Sequence, residues 1–566
     1  MKKAGKILLY TFLSFVTLVF GFIVYAYFAI QTEAPKIGNK KILESQRVQL
    51  DNNFYGIKNC RLRKSNSGLW EMYVEGNAFE RGVYNGKLSK ELIVKQEDAF
   101  VEEIKKMIPS SSYLNFLKYF VGWFDRNMDE EIPIEYLQEI SGVSRSASNQ
   151  YKFIGTKYQR ILNYHAAHDI GHAMQDLAMV GCTSFGTWDE ASEDGNLIIG
   201  RNFDFYVGDK FAEDKIVTFY KPDSGFKFVM ITWGGFVGVV SGMNEHGITV
   251  TLNAAKSDIP TSAAVPISLL AREILQYSQN ISQAYEIAKK RQTFVSEAIL
   301  VGSGDENRAV IIEKSPKKIA LFVPQANFII GPNHFQSQEF AKDELNIQNI
   351  AESSSMYRFK RMEQLIERNP KMNNLKAASI LRDQHGLDDT KIGMTNEKNI
   401  CQLISHHSII FKPREHTFWI STQPYQLGKY VCYNLDSVFA VFPGMNENKE
   451  IFTESLTIAP DSFLNTSKYQ DFLRYKDIKK EMKKEIKSLE IKEVDERMVG
   501  LFITANPDYY EVYSLSADYY SSKGRIKEAI NYYNIALTKE ITTISERRKI
   551  EEKISKLNTD LQDEKK

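Results

Sequence analysis

Neither sign of charge dominates this sequence: 72 Lys and Arg stand against 71 Asp and Glu in 566 residues, a formal net charge of +1. Without a bulk basic field the chain does not read as a nucleic-acid binder. Cysteine is scarce, with Cys60, Cys182, Cys401 and Cys432 the only four. That is too few for a disulfide scaffold. With Cys182 held as a reactive thiol, at most one pair can form among the other three; Cys401–Cys432 is one that an exported protein could form, and the sequence does not choose among them. Glycine and proline almost vanish from residues 467–560, a stretch rich in Lys, Glu and Tyr that reads as helical. What is plentiful is apolar side chain. A hydrophobic content of 43% and an aromatic content of 12% belong to a folded protein with a sizeable core, not a disordered one. At about 150 residues per domain, the length allows two or more domains.

The N-terminus carries Lys2, Lys3 and Lys6 ahead of an uncharged apolar run, Ile7–Ile30. As a helix that run would span ~36 Å, enough for a bilayer core. Ala26 and Ala29 make a poor signal-peptidase site. Residues 1–31 are therefore expected to be a cytoplasmic basic end and an uncleaved membrane anchor, with the rest extracytoplasmic (periplasmic or cell-surface side). A polar stalk follows, then mixed helical and β patterns. From Cys182 onward short alternating runs such as Ile216–Tyr220, Phe226–Trp233 and Ile248–Asn253 are broken by turn clusters. Two helices are expected between Val265 and Arg291, more at Met356–Glu367 and Leu375–Gln384, and final strands at His407–Phe411, Thr417–Ser421 and Ser437–Phe442. Alternating blocks of strands and helices predict a layered α+β sandwich over residues 45–450. Beyond it, residues 467–560 form a helical extension. Tyr513, Ala517, Tyr520, Gly524, Ala529, Tyr533 and Ala536 have the spacing of one tetratricopeptide-like (TPR-like) helix pair, a candidate surface for a protein partner.

The chemistry gathers at Gly181–Asp204. Gly181-Cys-Thr-Ser-Phe185 and Leu197–Asp204 read as two strands around the turn Asp194-Gly-Asn196. They bring a thiol, Cys182, to Arg201 and Asp204. Cleavage of Gly181–Cys182 would give Cys182 an α-amine, a base whose ordinary pKa of about 7.7–8.0 suits neutral pH. Residues 45–181 would then be a first chain and residues 182–450 a catalytic chain. An acyl-enzyme on sulfur also needs oxyanion donors. Asn253 and Asn333, at strand ends, are the candidates, and Arg358 would sit near a helix start.

These motifs occur in one order: Cys-Thr-Ser at 182–184, Arg-Asn-Phe-Asp at 201–204, Gly-Met-Asn-Glu-His-Gly at 242–247 with Asn253, Pro-Asn-His at 332–334, and Ser-x-x-Tyr-Arg-Phe at 354–359. Together they resemble the N-terminal-nucleophile (Ntn) amidohydrolases of the choloylglycine hydrolase, acid ceramidase and penicillin acyltransferase group. Glu75-Gly-x-x-Phe79-Glu80-Arg81-Gly82 and the Gly–Cys junction lean towards the acyltransferase branch. The resemblance covers residues 70–445. It implies an αββα sandwich, with Cys182 as both self-cleaving and catalytic nucleophile. It also implies that Arg201 and Asp204 orient the cysteine, Asn253 and Asn333 hold the oxyanion, Arg358 steadies the nucleophile, and no cofactor is needed. The implied substrate is a linear N-acyl amide, hydrolysed or passed to an amine.

Two other classes compete. His165, His168, Asp169 and His172 fall on one helical face and could hold zinc, as a metallohydrolase would require. The glutamate of a His-Glu-x-x-His helix is missing, however, and packing histidines beside the cleavage junction is the favoured reading. An inert hydrolase fold serving as an interaction protein is the other alternative.

Overall fold

The computed structural model describes residues 2–38, 40–108, 110–173, 181–258, 264–488 and 493–563. Its strands, in chain order, are β1 (Val48–Asp51), β2 (Phe54–Ile57), β3 (Cys60–Lys64), β4 (Trp70–Gly76), β5 (Thr183–Thr187), β6 (Ile198–Phe203), β7 (Ile216–Pro222), β8 (Phe228–Thr232) and β9 (Ser241–Asn244). They continue with β10 (Ile248–Ala254), β11 (Glu297–Ser303), β12 (Arg308–Lys314), β13 (Ile319–Phe322), β14 (Phe328–Gly331), β15 (His407–Lys412), β16 (Thr417–Ser421) and β17 (Tyr430–Asn434). Two sheets result, one in the order β1-β2-β3-β4-β7-β8-β9-β10-β11-β12-β13 and one in the order β14-β5-β6-β15-β16-β17.

The period-2 alternation of the strands decides the layering. Val217 and Phe219 of β7, Val229 and Ile231 of β8, and Ile409 and Phe411 of β15 meet in one core between the sheets. Their neighbours Ile216, Tyr220, Phe228 and Met230 turn the other way, onto a helical layer. Ile410, Trp419 and Cys432 of the smaller sheet do the same on its far side, with Met362 and Leu365 of the helix Ser355–Arg368 and Leu381 of the helix Asn374–Leu381. The order is helices, sheet, sheet, helices. This is the α+β sandwich expected of the sequence.

Helix packing explains the Phe79-Glu80-Arg81-Gly82 motif. The helices Ala78–Leu88 and Ile134–Ser144 cross backbone to backbone, and a Cβ at Gly82 would lie 2.0 Å from the Glu139 carbonyl oxygen. Arg81, beside that crossing, pairs with Glu135 at 2.8 Å and with Glu139 at 3.0 Å. The backbone of the facing helix cannot yield as a side chain would. Gly82→Ala is therefore expected to destabilise the chain by ~3 kcal/mol, as overpacked cores do, read as a fall in the urea midpoint.

Two expectations need correcting. The run Ile7–Ile30 is helical within Lys2–Ala29, and its far end packs on the sandwich: Phe22 contacts Trp123 at 5.5 Å between ring centroids, and Gln159 donates to the Ile30 carbonyl at 2.6 Å. Yet among the described residues no helix is long and apolar enough to cross a membrane. The side chains of Ile7, Leu8, Leu9, Ile23 and Tyr27 lie outside the described ones. The membrane anchor, and the extracytoplasmic localisation that rested on it, are withdrawn.

The expected strand Ser437–Phe442 is a helix, Leu435–Val441. Asn434 caps it by accepting from the Ser437 N–H, and Leu435, Val438 and Phe442 are buried at helical spacing. Cys401 and Cys432 form no disulfide, and all four cysteines are free and buried. In the extension, Tyr510–Ser522 and Ile526–Leu537 do form a helical hairpin around Ala517, Ala529, Tyr533 and Ala536. One such pair falls short of the roughly three stacked repeats a solenoid needs. Its core instead merges with Cys401, Leu403 and Leu427 of the sandwich.

Candidate active site

Strand β5 begins one residue after Cys182 and lies antiparallel to β6, with Ser184 opposite Arg201 and Thr183 opposite Asn202. This pairing places Cys182 against the end of β6, where the Gly181 N–H donates to the Asp204 carbonyl at 3.1 Å. Cys182 is 1% exposed. Its sulfur accepts from Arg201 Nη2 at 3.5 Å. Burial pushes the thiol up to about 11, with Arg201 pulling it back and the nearby Asp204 raising it. In the intact chain this is a protonated, shielded sulfur.

Arg201 is held from several sides. Its Nη1 donates to the Val240 carbonyl at 3.1 Å and to Ser241 Oγ at 2.6 Å, and its Nη2 also reaches the Leu252 carbonyl. Behind Ser241 stands a buried histidine pair: His407 Nε2 lies 2.9 Å from Ser241 Oγ, and the two Nδ1 atoms of His406 and His407 are 2.9 Å apart. Burial holds both imidazoles well below their ordinary pKa, so the pair is neutral. It orders the serine without adding charge next to the guanidinium.

Asp204 is fully buried, and burial pushes its carboxyl up to about 7 against the pull of Ser405, Arg358 and Arg201. Ser405 Oγ donates to Oδ1, while Oδ2 has no hydrogen-bond partner among the described residues. A carboxylate of near-neutral pKa with one free oxygen beside a thiol is suited to proton transfer.

Three consecutive residues of β10 tie the remaining candidates together. Leu252 offers its carbonyl to Arg201. Asn253 donates to the Gly331 carbonyl at 2.5 Å, and its Oδ1 has no partner among the described residues. Ala254 accepts from Asn333 Nδ2 at 2.9 Å. Asn333 Oδ1 in turn accepts from Arg358 Nη2 at 2.6 Å, and Arg358 Nε donates to Thr183 Oγ1 at 3.2 Å, one residue from the sulfur. The structure thus brings Cys182, Arg201, Asp204, Asn253, Asn333 and Arg358 into one network, buried except at the half-buried Asn333. In the intact chain both asparagine amides donate to backbone carbonyls.

Gln402 lies in no motif of the sequence. Its Nε2 donates to the Gly181 carbonyl oxygen at 2.9 Å, the oxygen of the bond expected to be cut. The same contact explains the glycine, since a Cβ at 181 would stand 2.8 Å from Gln402 Nε2. Asn202 fixes the loop that carries Gln402 by donating to the Leu381 and Ile400 carbonyls, both at 2.9 Å. Leu403, the next residue, has a φ of +56°, a left-handed backbone that a leucine adopts only under constraint. That strained residue is the one local clue, and it shows only in the folded chain.

The histidine cluster does other work. His165 accepts from the Val237 N–H at Nε2 (2.9 Å) and contacts the Ile161 carbonyl through Nδ1 (2.7 Å), so both ring nitrogens are engaged. Burial lowers it to about 4. Asp169 accepts from the Ile267 N–H at 2.8 Å. The side chains of His168 and His172 lie outside the described ones. Among the described residues no group of three or more His, Cys, Asp or Glu could hold a metal ion.

Residues 191–424 match the family model described as acyl-coenzyme A:6-aminopenicillanic acid acyl-transferase. The span includes Arg201, Asp204, Asn253, Asn333, Arg358 and Gln402. The match supports placing the sandwich domain in the N-terminal-nucleophile hydrolase group. An uncharacterized protein of Archaeoglobus fulgidus is 27% identical over 271 residues, covering 45% of each chain. Dictyostelium discoideum protein dcd1B is 24% identical, over 45% of this chain and 52% of its own. The N-acylethanolamine-hydrolyzing acid amidase of Caenorhabditis elegans is 25% identical, over 38% and 59%. The chain thus spans about half the length of the curated relatives it matches. Among solved structures, a Caenorhabditis elegans ortholog of that amidase aligns over 41% of this chain and 93% of its own, at 17% identity and a TM-score of 0.30. A variant of conjugated bile acid hydrolase from Clostridium perfringens aligns over 43% and 89%, at 12% identity and 0.29. Amide hydrolases and acyltransferases make up the group.

Proposed function

We propose that the chain is a self-processing cysteine amidohydrolase that cleaves a linear N-acyl amide through an acyl-enzyme on Cys182. The observation that carries this reading is the junction itself. Gly181 presents its carbonyl oxygen to a fixed donor, Gln402, while the adjoining thiol sits between Arg201 and Asp204.

Self-cleavage begins with Asp204 Oδ2 taking the Cys182 thiol proton. The thiolate attacks the Gly181 carbonyl carbon, and Gln402 stabilises the oxyanion. As the C–N bond breaks, the nitrogen takes the proton back from Asp204. The products are a thioester on Cys182 and a free α-amine. Water hydrolyses the thioester, releasing Gly181 as a carboxylate and restoring the thiol. From then on the amine is the base. It deprotonates the thiol for attack on an external amide, and as an ammonium it protonates the leaving amine. The substrate's carbonyl takes the place of Gly181's, within reach of Gln402. Asn253 and Asn333, whose amides each keep a second N–H beside the one given to Gly331 and Ala254, serve as further donors once the first chain's end has left, with Arg358 holding Asn333 in place.

A second reading shares every step up to the acyl-enzyme: an amine, not water, discharges it. The acyltransferase description of the matching family model favours keeping it. The test is direct. Purified protein is expected as two pieces, the larger starting at Cys182 by N-terminal sequencing, and to release free acid from a panel of N-acyl amides. New amide in the presence of added amines would make it a transferase. An intact chain that hydrolyses no member of the panel would sink both readings.

A further inference from the structure

The helical extension does more than pack against the sandwich. Between them runs a cleft of about 1840 Å³, larger than the ~300–1,000 Å³ of an ordinary small-molecule site. Its floor includes Ala254, Asn333, Arg358 and Gln402, the outer residues of the candidate active site. One wall is the helix Ser467–Lys487. Phe472, Tyr475, Ile478 and Met482 of that helix are buried in the extension's own core. The remaining face presents lysines, Lys476, Lys480, Lys483 and Lys487 at intervals of four, three and four, with Lys484 beside them. Such spacing keeps them on one side of a helix.

Most of the cleft's carboxylates are already matched. Glu102 pairs with Lys210, Asp209 with Lys476, Glu352 with Arg548, and Glu511 with Lys479. Glu397 stands near Arg358 and Lys479, and burial raises its pKa. By contrast, Lys480, Lys483, Lys484 and Lys487 are exposed and make no ion pair among the described residues, with Asp477 the one cleft acid near them that is likewise unpaired. Partial desolvation, with Lys479 and Lys487 nearby, lowers the Lys483 pKa. Glu511 and Asp518 offset the charge of Lys483 in part, but like charges held together with so few counter-ions destabilise the free protein. A ligand of opposite sign relieves that cost.

We propose that this lysine face is a substrate-specificity site, which binds the distal part of an N-acyl amide carrying two or more negative charges, phosphate or carboxylate, while the amide lies on the cleft floor. The inference rests on the amidohydrolase reading above. From Lys480 to Lys487 the face extends ~10 Å along the helix, room for more than one anionic group.

The test has two arms. In the first, the processed enzyme is given N-acyl amides sharing one acyl chain, with amine parts that are neutral, monocarboxylate, tricarboxylate or bisphosphate. kcat/KM is expected to rise at least 30-fold from the neutral to the multiply charged members and to fall with added salt. The bisphosphate and tricarboxylate members separate the two chemistries. A variant with Lys480, Lys483, Lys484 and Lys487 all changed to Gln should lose that rise through KM while keeping neutral-amide kcat/KM within twofold. The second arm needs no turnover: calorimetry of tripolyphosphate binding to the full chain, with micromolar affinity expected, lost in the quadruple variant and kept in Lys289→Gln/Lys290→Gln, exposed lysines on the helix Ile281–Lys290. No binding, or equal loss in the control, overturns the lysine site. Binding as expected with no amide hydrolysed would leave the site standing and sink the amidohydrolase reading instead.

Discussion

The Cys182→Ala chain is expected to run as one 65.0 kDa species and the natural chain as two. Residues 1–181 and 182–566 are about one third and two thirds of the whole, so one denaturing gel separates the outcomes. Amide hydrolysis should fall by ~10⁴-fold or more, the scale on which loss of a nucleophile acts. Two losses coincide in this variant, because the atom removed is the sulfur that attacks both the junction and the substrate. Cys182→Ser separates them. A hydroxyl is a poorer nucleophile than a thiolate but can still attack, so slow cleavage over hours to days is expected with little turnover afterwards. The pH dependence of cleavage adds a check. Asp204 must be ionised to accept the thiol proton, and burial sets its pKa to about 7. The rate in the intact chain should therefore climb with pH through neutrality and level off above it, and Asp204→Asn should remove the climb. A Cys182→Ala chain still cut between 181 and 182 would show that another nucleophile or a contaminating protease does the cutting.

The sandwich was legible because its strands use both faces. Runs such as Ile216–Tyr220 are apolar at every position but Thr218, and the fold sends Val217 and Phe219 one way and Ile216 and Tyr220 the other. Short elements at the rim were harder. Ser437–Phe442 has a strand-like composition, and only the Asn434 cap and the burial of Leu435 and Val438 make it helical. The apolar N-terminal run misled in another way, because length and composition predict a span wherever they occur. At the site, motif order pointed to residues that carry their own signatures: Cys182 after a glycine, Arg201 and Asp204 at the end of one strand, Asn333 in a Pro-Asn-His turn. Ser241, Ser405 and His407 carry no such mark. They act through residues far away in the chain, and no local pattern records a partner 201 positions distant, as Ser405 is from Asp204.

Gln402 is the extreme case, 221 residues from the carbonyl it contacts. Its replacement carries the second largest effect. Gln402→Ala is expected to slow self-cleavage by ~10²–10³-fold, the usual consequence of removing one oxyanion donor. Gln402→Glu should be as slow or slower, since a carboxylate would face the developing negative charge. In neither variant does the thiol lose Arg201 or Asp204, so Cys182 itself remains competent. Measuring both stages tells how far the donor is shared. If the substrate's carbonyl occupies the place that Gly181's leaves, the matured fraction of Gln402→Ala should lose kcat in similar proportion, with KM changed little, because the hydrogen bond strengthens as charge develops on the oxygen. Unimpaired turnover in that fraction would confine Gln402 to processing and pass the oxyanion to Asn253 and Asn333. Unimpaired cleavage would mean that the 2.9 Å contact merely holds the precursor's peptide in place. The glycine allows a further comparison. Gly181→Ala adds a methyl where Gln402 now lies, so cleavage should slow in that variant with every catalytic side chain intact. Pairing it with a shorter amide, Gln402→Asn, makes room for the methyl but withdraws the donor from the oxygen, so the double variant should stay slow if donation is what matters and recover if crowding is.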